Sequence, residues 1–226
     1  MFSPCLYNGD CLEEMSKIPE KSVDMVICDL PQPIKGSSPI QLSRLWEEYK
    51  RILKDRGVVL LFCYGTYYAD IINSNRKMFK YDLIWDKVLS TGYLNAKKMP
   101  LRQHEQIAVF YKKLPTYNPQ YKRGSTNVVR YNSRGRYVGV PSDRFPTSVM
   151  VYKKDHPSAC AIPTQIPVSL LENLILTYTN EGDTVLDNCM GSGSTGVACK
   201  HTGRNFIGIE IDSDIFNCAV GRIASE

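Results

Sequence analysis

The sequence predicts an α/β fold, a mostly parallel sheet with helices on both faces. Three observations carry this. First, Gly57–Cys63 is an almost continuous apolar run, the pattern of a strand covered on both sides. Second, short apolar runs alternate along the chain with segments of helical period. Third, Thr184–Glu210 reads as strand, glycine-rich turn, helix and strand, with Gly191, Gly193 and Gly196 spaced G-x-G-x-x-G and Glu210 closing the second strand. That last unit is half of a nucleotide-binding α/β motif, with an acidic residue placed to hold ribose hydroxyls.

In chain order, Leu6-Tyr7 ends a first strand and Leu12–Ile18 is predicted helical, with Asp10 placed as its N-cap. Ser22–Cys28 is a compact apolar strand ending at Asp29, and Pro31 and Pro33 stop it. Asp29 therefore sits where open α/β sheets present ligands, at a strand's carboxyl end. Ile40–Leu53 has helical period through Leu42, Leu45, Trp46, Tyr49, Ile52 and Leu53, and Thr66–Ser74 is also predicted helical. Lys80–Lys87 and Glu105–Tyr111 are strands. Their connection, Leu89–His104, holds Lys97, Lys98 and Arg102, with Lys87 just before it.

Pro167 opens a helix over Val168–Tyr178, and Asn180–Asp183 turns into the Thr184 strand. The helix after the glycines is expected over Ser194–His201, capped by Ser192 or Ser194 and ended by Gly203. Sixteen residues follow Glu210, too few for further β-α-β repeats, so the remaining strands are expected from earlier in the chain.

Composition sets the class. With 226 residues and 43% hydrophobic content, the chain suits one α/β domain carrying an insertion. No apolar run approaches the roughly 18–20 residues of a membrane span, and Met1–Pro4 does not read as a signal peptide. The eight cysteines show neither C-x-x-C nor zinc spacing; Cys28, Cys63 and Cys199 sit inside apolar runs. A reduced, cytoplasmic protein without a metal is expected. Between Lys112 and Asp155 ten basic residues face two acidic ones, which leaves the rest of the chain net acidic although the total is +5. Tyr117, Tyr121, Tyr131 and Tyr137 are interleaved there, a composition suited to nucleic acid. The expected division is a core of residues 1–111 and 161–226 and a basic recognition segment, 112–160.

A lone G-x-G-x-x-G usually suggests a dinucleotide dehydrogenase, and a nicotinamide-dependent oxidoreductase is one reading. The position of the motif late in the chain and Asp187 directly ending its first strand argue against it.

Taken together, the chain resembles the circularly permuted, beta-class DNA methyltransferases that modify adenine N6 or cytosine N4, phage-type members among them. Asp187–Thr195 is similar to that family's D-P-F-x-G-S-G-T-T loop, with Asn188 and Cys189 replacing Pro and Phe. Ile162–Pro167 is similar to its H-P-T-Q-K-P segment, with Ile162 and Ile166 replacing His and Lys. Asp29-Leu30-Pro31-Gln32 stands in the place of D-P-P-Y, and Thr91–Glu105 looks like the loop and strand ahead of the recognition segment.

The resemblance implies a Rossmann-like fold binding S-adenosyl-L-methionine (SAM), with Asp10, Thr164, Asp187, Met190, Gly191, Ser192, Gly193 and Glu210 as its holders. It implies methylation of a base flipped out of double-stranded DNA, adenine N6 being favoured by Asp at position 29, in a bacterial or phage-infected cell. Asp29 and the Leu30 carbonyl would accept hydrogen bonds from the target amine. Lys97, Lys98, Arg102, Lys122, Arg123, Arg130, Arg134 and Arg136 would contact DNA, and the protein would act as a homodimer or with a partner subunit. Gln32 replaces a base-stacking aromatic worth roughly 1–3 kcal/mol, a deficit of about ten- to a hundredfold. A catalytically impaired homologue that binds DNA or SAM is thus the alternative, unless Tyr64 or Tyr93 supplies the ring.

Overall fold

The computed structural model describes residues 2, 4–32, 40–122, 129–132, 135–138, 144–154, 162 and 165–226. Ten strands are described: β1 (Cys5–Asn8), β2 (Val23–Asp29), β3 (Leu53–Cys63), β4 (Phe79–Thr91), β5 (Arg102–Tyr111), β6 (Val129–Asn132), β7 (Gly135–Val138), β8 (Val149–Val151), β9 (Thr184–Asp187) and β10 (Asn205–Glu210). The helices are α1 (Cys11–Met15), α2 (Leu42–Ile52), α3 (Thr66–Ser74), α4 (Val168–Tyr178), α5 (Ser194–Thr202) and α6 (Ser213–Ser225).

Eight strands form one sheet in the order β1-β10-β9-β2-β3-β5-β4-β8, and β6 and β7 pair separately. Pairing is parallel from β1 through β3 and between β4 and β8; β5 runs antiparallel to both β3 and β4. The late strands β9 and β10 lie between the early strands β1 and β2. The strands expected from earlier in the chain are therefore where the length argument requires them.

Helices cover both faces, which is why β2 and β3 are apolar on successive residues. On one face α2 and α3 place Leu45, Trp46, Tyr49, Ile52, Tyr67 and Ile71 against Val26, Cys28, Val59 and Leu61. On the other, α4, α5 and α6 bring Leu171, Leu174, Val197 and Ile223 against Met25, Ile27, Leu60 and Phe62.

Several boundaries differ from the sequence reading. α1 stops at Met15 because Pro19 disfavours helical backbone at Ile18, and the chain leaves through tight turns such as Ile18 N–H to Met15 O. β4 runs on to Thr91, which pairs with Arg102, so the β4–β5 connection is shorter than expected and contains a 3-10 turn at Tyr93–Asn95. α5 is capped by Gly193, not by Ser192 or Ser194: φ of +78° there is a left-handed conformation that favours glycine. β6, β7, β8 and α6 carried no sequence expectation. Val149–Val151, inside the basic segment, pairs with β4 at the sheet edge.

Candidate active site

The glycine turn is built on Asp187. Its buried carboxylate accepts Thr195 Oγ1 at 2.6 Å and the Cys189 N–H at 3.2 Å, tying both ends of the turn to the end of β9. Burial pushes this carboxyl up to about 6, against those hydrogen bonds, which favour the charged form. Asn188 is also buried, and its side-chain oxygen accepts the Tyr49 hydroxyl of α2 at 2.6 Å. That contact explains how a polar residue occupies a core position.

Gly191 has φ of +51°, and its N–H donates to Glu210 Oε2 at 3.0 Å. The other Glu210 oxygen accepts the Asp212 N–H at 3.0 Å. Each carboxylate oxygen retains a further lone pair, so Glu210 braces the turn and still has acceptors for hydroxyls. Gly196 serves packing: a Cβ there would lie 2.5 Å from Ile223 Cδ1 and 2.7 Å from Phe206 Cε1. Ser192 donates to Gln165 at 3.0 Å, and Arg222 of α6 reaches the Ser192 and Ser194 hydroxyls at 3.2 and 2.9 Å.

Asp29 ends β2 opposite Phe62 of β3. Burial, then the charges of Glu105 and Asp187, push its carboxyl up to about 7, while Lys154 and Lys87 oppose the rise. Leu30 turns its side chain into the core, Pro31 is exposed and Gln32 is partly buried. One cleft joins the two halves: Asp29, Asp187, Met190, Gly191, Ser192 and Thr195 line it together with Gln165, Ile166 and Leu171.

The expected site residues thus divide. Asp29, Asp187, Met190, Gly191 and Ser192 share the cleft. Glu210 and Gly193 frame its turn. Asp10 is exposed and caps α1, accepting the Leu12 and Glu13 N–H groups, while its neighbour Gly9 donates to Glu210 O. Thr164, Arg123 and Arg134 lie outside the described residues; Arg130 and Arg136 oppose Tyr137 and Tyr131 in the β6–β7 ladder.

Lys97 and Lys98 are exposed on the β4–β5 arm with Tyr93 and Leu94, and the Arg102 guanidinium lies 4.1 Å from the Tyr64 ring centre. The antiparallel pairing of β5 with β3 makes this arm rise from the edge that carries Asp29. Lys122 is bridged to Arg144 beside a wider apolar cleft lined by Tyr81, Tyr111, Tyr117 and Tyr178.

Sequence reasoning missed Tyr49, Arg222, Gln165 and Thr195 as site residues, and it grouped Lys87, the last residue of the Lys80–Lys87 strand, with the basic residues of the connection that follows. Lys87 is in fact buried, with Nζ 2.8 Å from Glu105 Oε1. The available signal was a lysine two residues after Trp85, and so on the same face of the strand as that buried ring. Among the described residues no group of three or more His, Cys, Asp or Glu is placed to hold a metal, and no helix is long and apolar enough to cross a membrane.

The profile of the DNA methylase family N6_N4_Mtase matches residues 41–221. The chain is 30% identical to the type II methyltransferase M.HpaI of Haemophilus parainfluenzae over 96% of this chain and 73% of that protein. It is 29% identical to the DNA adenine methyltransferase YhdJ of Escherichia coli (strain K12), over 96% of this chain and 82% of that one. Its fold is similar to the crystal structure of the M1.HpyAVI–SAM complex, with a TM-score of 0.71 at 23% identity over 98% and 99% of the two chains. It is also similar to the cytosine-N4-specific PvuII DNA methyltransferase, with a TM-score of 0.74 at 18% identity over 98% and 87%. These two curated relatives are bacterial; the phage-type likeness expected from Thr91–Glu105 finds no support in them.

Proposed function

The chain belongs to the N6/N4 DNA methylase family, and from that membership we propose that it is a beta-class enzyme methylating adenine N6 in double-stranded DNA. The observation that carries this is the shared cleft: Asp29 and the Asp187–Thr195 turn open into one space although far apart in sequence. Membership removes the nicotinamide-dependent oxidoreductase from consideration.

The residues present fit SAM. A positive-φ glycine turn lets backbone approach closely, Met190 gives an apolar wall, and Glu210 keeps acceptors for ribose hydroxyls beyond its two backbone contacts. When bound, this cofactor supplies an electrophilic methyl group on a sulfonium. Asp187, Met190, Gly191, Ser192, Gly193, Glu210 and Thr164, with Asp10 toward the adenine end, are the proposed holders.

Asp29 and the Leu30 carbonyl accept the two N–H groups of the flipped amine, aligning its lone pair with the methyl position. A carboxyl raised to about 7 is also a competent acceptor for the proton the amine sheds after transfer. The core, residues 1–111 and 161–226, carries this chemistry, and residues 112–160 with the β4–β5 arm hold DNA. Asp at position 29 and the likeness to the adenine enzyme YhdJ support adenine over cytosine.

The test is incubation with methyl-labelled SAM and unmethylated duplex DNA, followed by nucleoside analysis. N6-methyl-2′-deoxyadenosine is the expected product; label only in N4-methyl-2′-deoxycytidine would overturn the base assignment. Gln32 motivates a second reading, an impaired homologue that binds without transferring. Tyr64, directly after β3, is stacked by Arg102 and is not among the residues that line the Asp29 cleft, so the ring that position 32 lacks is not replaced from there. Gln32→Tyr is expected to raise transfer by roughly tenfold or more. Equal rates would refute the stacking argument. Duplex binding without transfer by either protein would favour the binding module.

A further inference from the structure

Successive strand residues point to opposite faces, and the two core clusters show which face each position uses. On β2, Met25 and Ile27 pack beneath α4–α6 while Val26 and Cys28 pack on the other side, so Asp29 shares the face of Met25 and Ile27. The same parity places Asp187 with Val185 on β9, Glu105 with Ile107 and Val109 on β5, and Lys87 with Trp85 on β4. All four lie at one edge of the sheet. Asp29 opposes Phe62, Phe62 opposes Ile107, and Glu105 opposes Trp85. One face at one edge therefore carries three carboxyls and one lysine.

Lys87 is only 4% exposed, and its Nζ lies 2.8 Å from Glu105 Oε1 across a diagonal of the β4–β5 ladder. A buried ion pair is costly to desolvate and is weak evidence for stability. Its position on the face and edge of the reacting carboxyl suggests a different role. We propose that the Lys87–Glu105 pair is a positioning element of the transfer site, in which Lys87 neutralises Glu105 so that Asp29 is held charged and open to the target amine. This rests on the reading of Asp29 as the amine acceptor.

The groups facing Asp29 come from every neighbouring element. They are Asp187 on β9, Glu105 on β5, Lys87 on β4, and Lys154 after β8, whose N–H donates to Lys87 O at 3.2 Å. Cys28 on β2, Cys63 on β3 and Tyr67 on α3 also lie within its field. Burial has already brought the Asp29 carboxyl up to about 7, where one added or removed charge moves its ionisation across neutrality. Removing the Lys87 charge leaves Glu105 uncompensated and favours protonated Asp29. Removing the Glu105 charge leaves Lys87 unopposed and favours the carboxylate.

The test is single-turnover methyl transfer to unmethylated duplex by the full chain, from about pH 5 to 9. Lys87→Met is expected to move the acid limb of the rate up by roughly one pH unit and Glu105→Gln to move it down by about as much. The double variant should return toward wild type, and Lys87→Arg, which keeps the charge, should hold the wild-type limb. Rates that fall at every pH with an unmoved limb would mean a structural role and overturn the proposal. If Lys87→Met does not fold, the downward shift in Glu105→Gln decides alone. If wild type transfers no methyl group, the proposed function fails separately, and the Asp29 carboxyl is then titrated by carbon-13 NMR. A midpoint lowered in Glu105→Gln sustains the pairing; an unchanged midpoint overturns it.

Discussion

Asp29 is held against its own chemistry, and Asp29→Asn measures by how much. In water its carboxyl would titrate near 3.8; in the fold, burial and the charges of Glu105 and Asp187 bring it up to about 7. A carboxyl whose folded value exceeds its unfolded value makes the folded state bind more protons between the two. Its contribution is therefore most favourable below about pH 4 and is lost as pH rises toward 7. The full difference corresponds to about 4 kcal/mol. Asp29 opens onto the cleft and keeps some solvent, so about half of that, about 2 kcal/mol, is the working figure.

Asparagine is nearly isosteric and cannot ionise. Asp29→Asn should match wild-type stability near pH 4 and exceed it at pH 8, by about 4–8 °C in melting temperature for a domain of this size. The assay is thermal unfolding of both proteins across that range, comparing only their difference so that other titrating groups cancel. The same variant should lose methyl transfer by at least about a hundredfold. A melting-temperature difference that is the same at both pH values would refute the electrostatic account.

Three further outcomes are expected. Glu210→Gln should weaken SAM about ten- to a hundredfold in calorimetric titration, since it removes a charged acceptor braced by Gly191 and Asp212. Gly196→Ala should cost about 1–3 kcal/mol in urea unfolding, because the new methyl meets Ile223 and Phe206 at 2.5 and 2.7 Å. Lys97→Ala combined with Lys98→Ala should lower the slope of duplex affinity against salt by about two and leave SAM binding unchanged.

The elements most legible in the sequence were those whose burial leaves no choice of period. β2 and β3 are covered on both faces and read as apolar runs, and α3 and α4 have the bounds their patterns predict. The glycine turn was legible because its glycines answer to backbone geometry at Gly191 and Gly193 and to packing at Gly196. The cap of α5 was misread because the serine preference at N-caps assumes extended backbone, whereas the turn arrives there left-handed. β8 escaped because three residues at an exposed sheet edge, two of them half-exposed valines, carry no amphipathic pattern. The Lys87–Glu105 pair escaped for another reason. A lysine at a strand's end reads as solvated unless the partner 18 positions on is known to lie diagonally across the ladder.

The sheet order explains both how the site assembles and why it is electrostatically strained. Because β9 inserts beside β2, with Val185 against Met25 and Leu186 against Val26, Asp187 at the end of β9 falls next to Asp29 at the end of β2. Motif order along the chain is then immaterial, since the edge of the sheet joins Asp187 and Asp29. The same adjacency concentrates negative charge: Asp187, Asp29 and Glu105 share one face of that edge, and both aspartates are raised by burial. A fold selected for stability alone would place apolar or neutral residues there. The cost is offset locally, by Thr195 and the Cys189 N–H at Asp187, and by Lys87 and Lys154 around Asp29 and Glu105. The compensation differs in kind: hydrogen bonds oppose the rise at Asp187, whereas at Asp29 the charges of Lys154 and Lys87 oppose it. That difference fits their proposed tasks: Asp187 holds a turn, whereas Asp29 must keep its oxygens free for an amine.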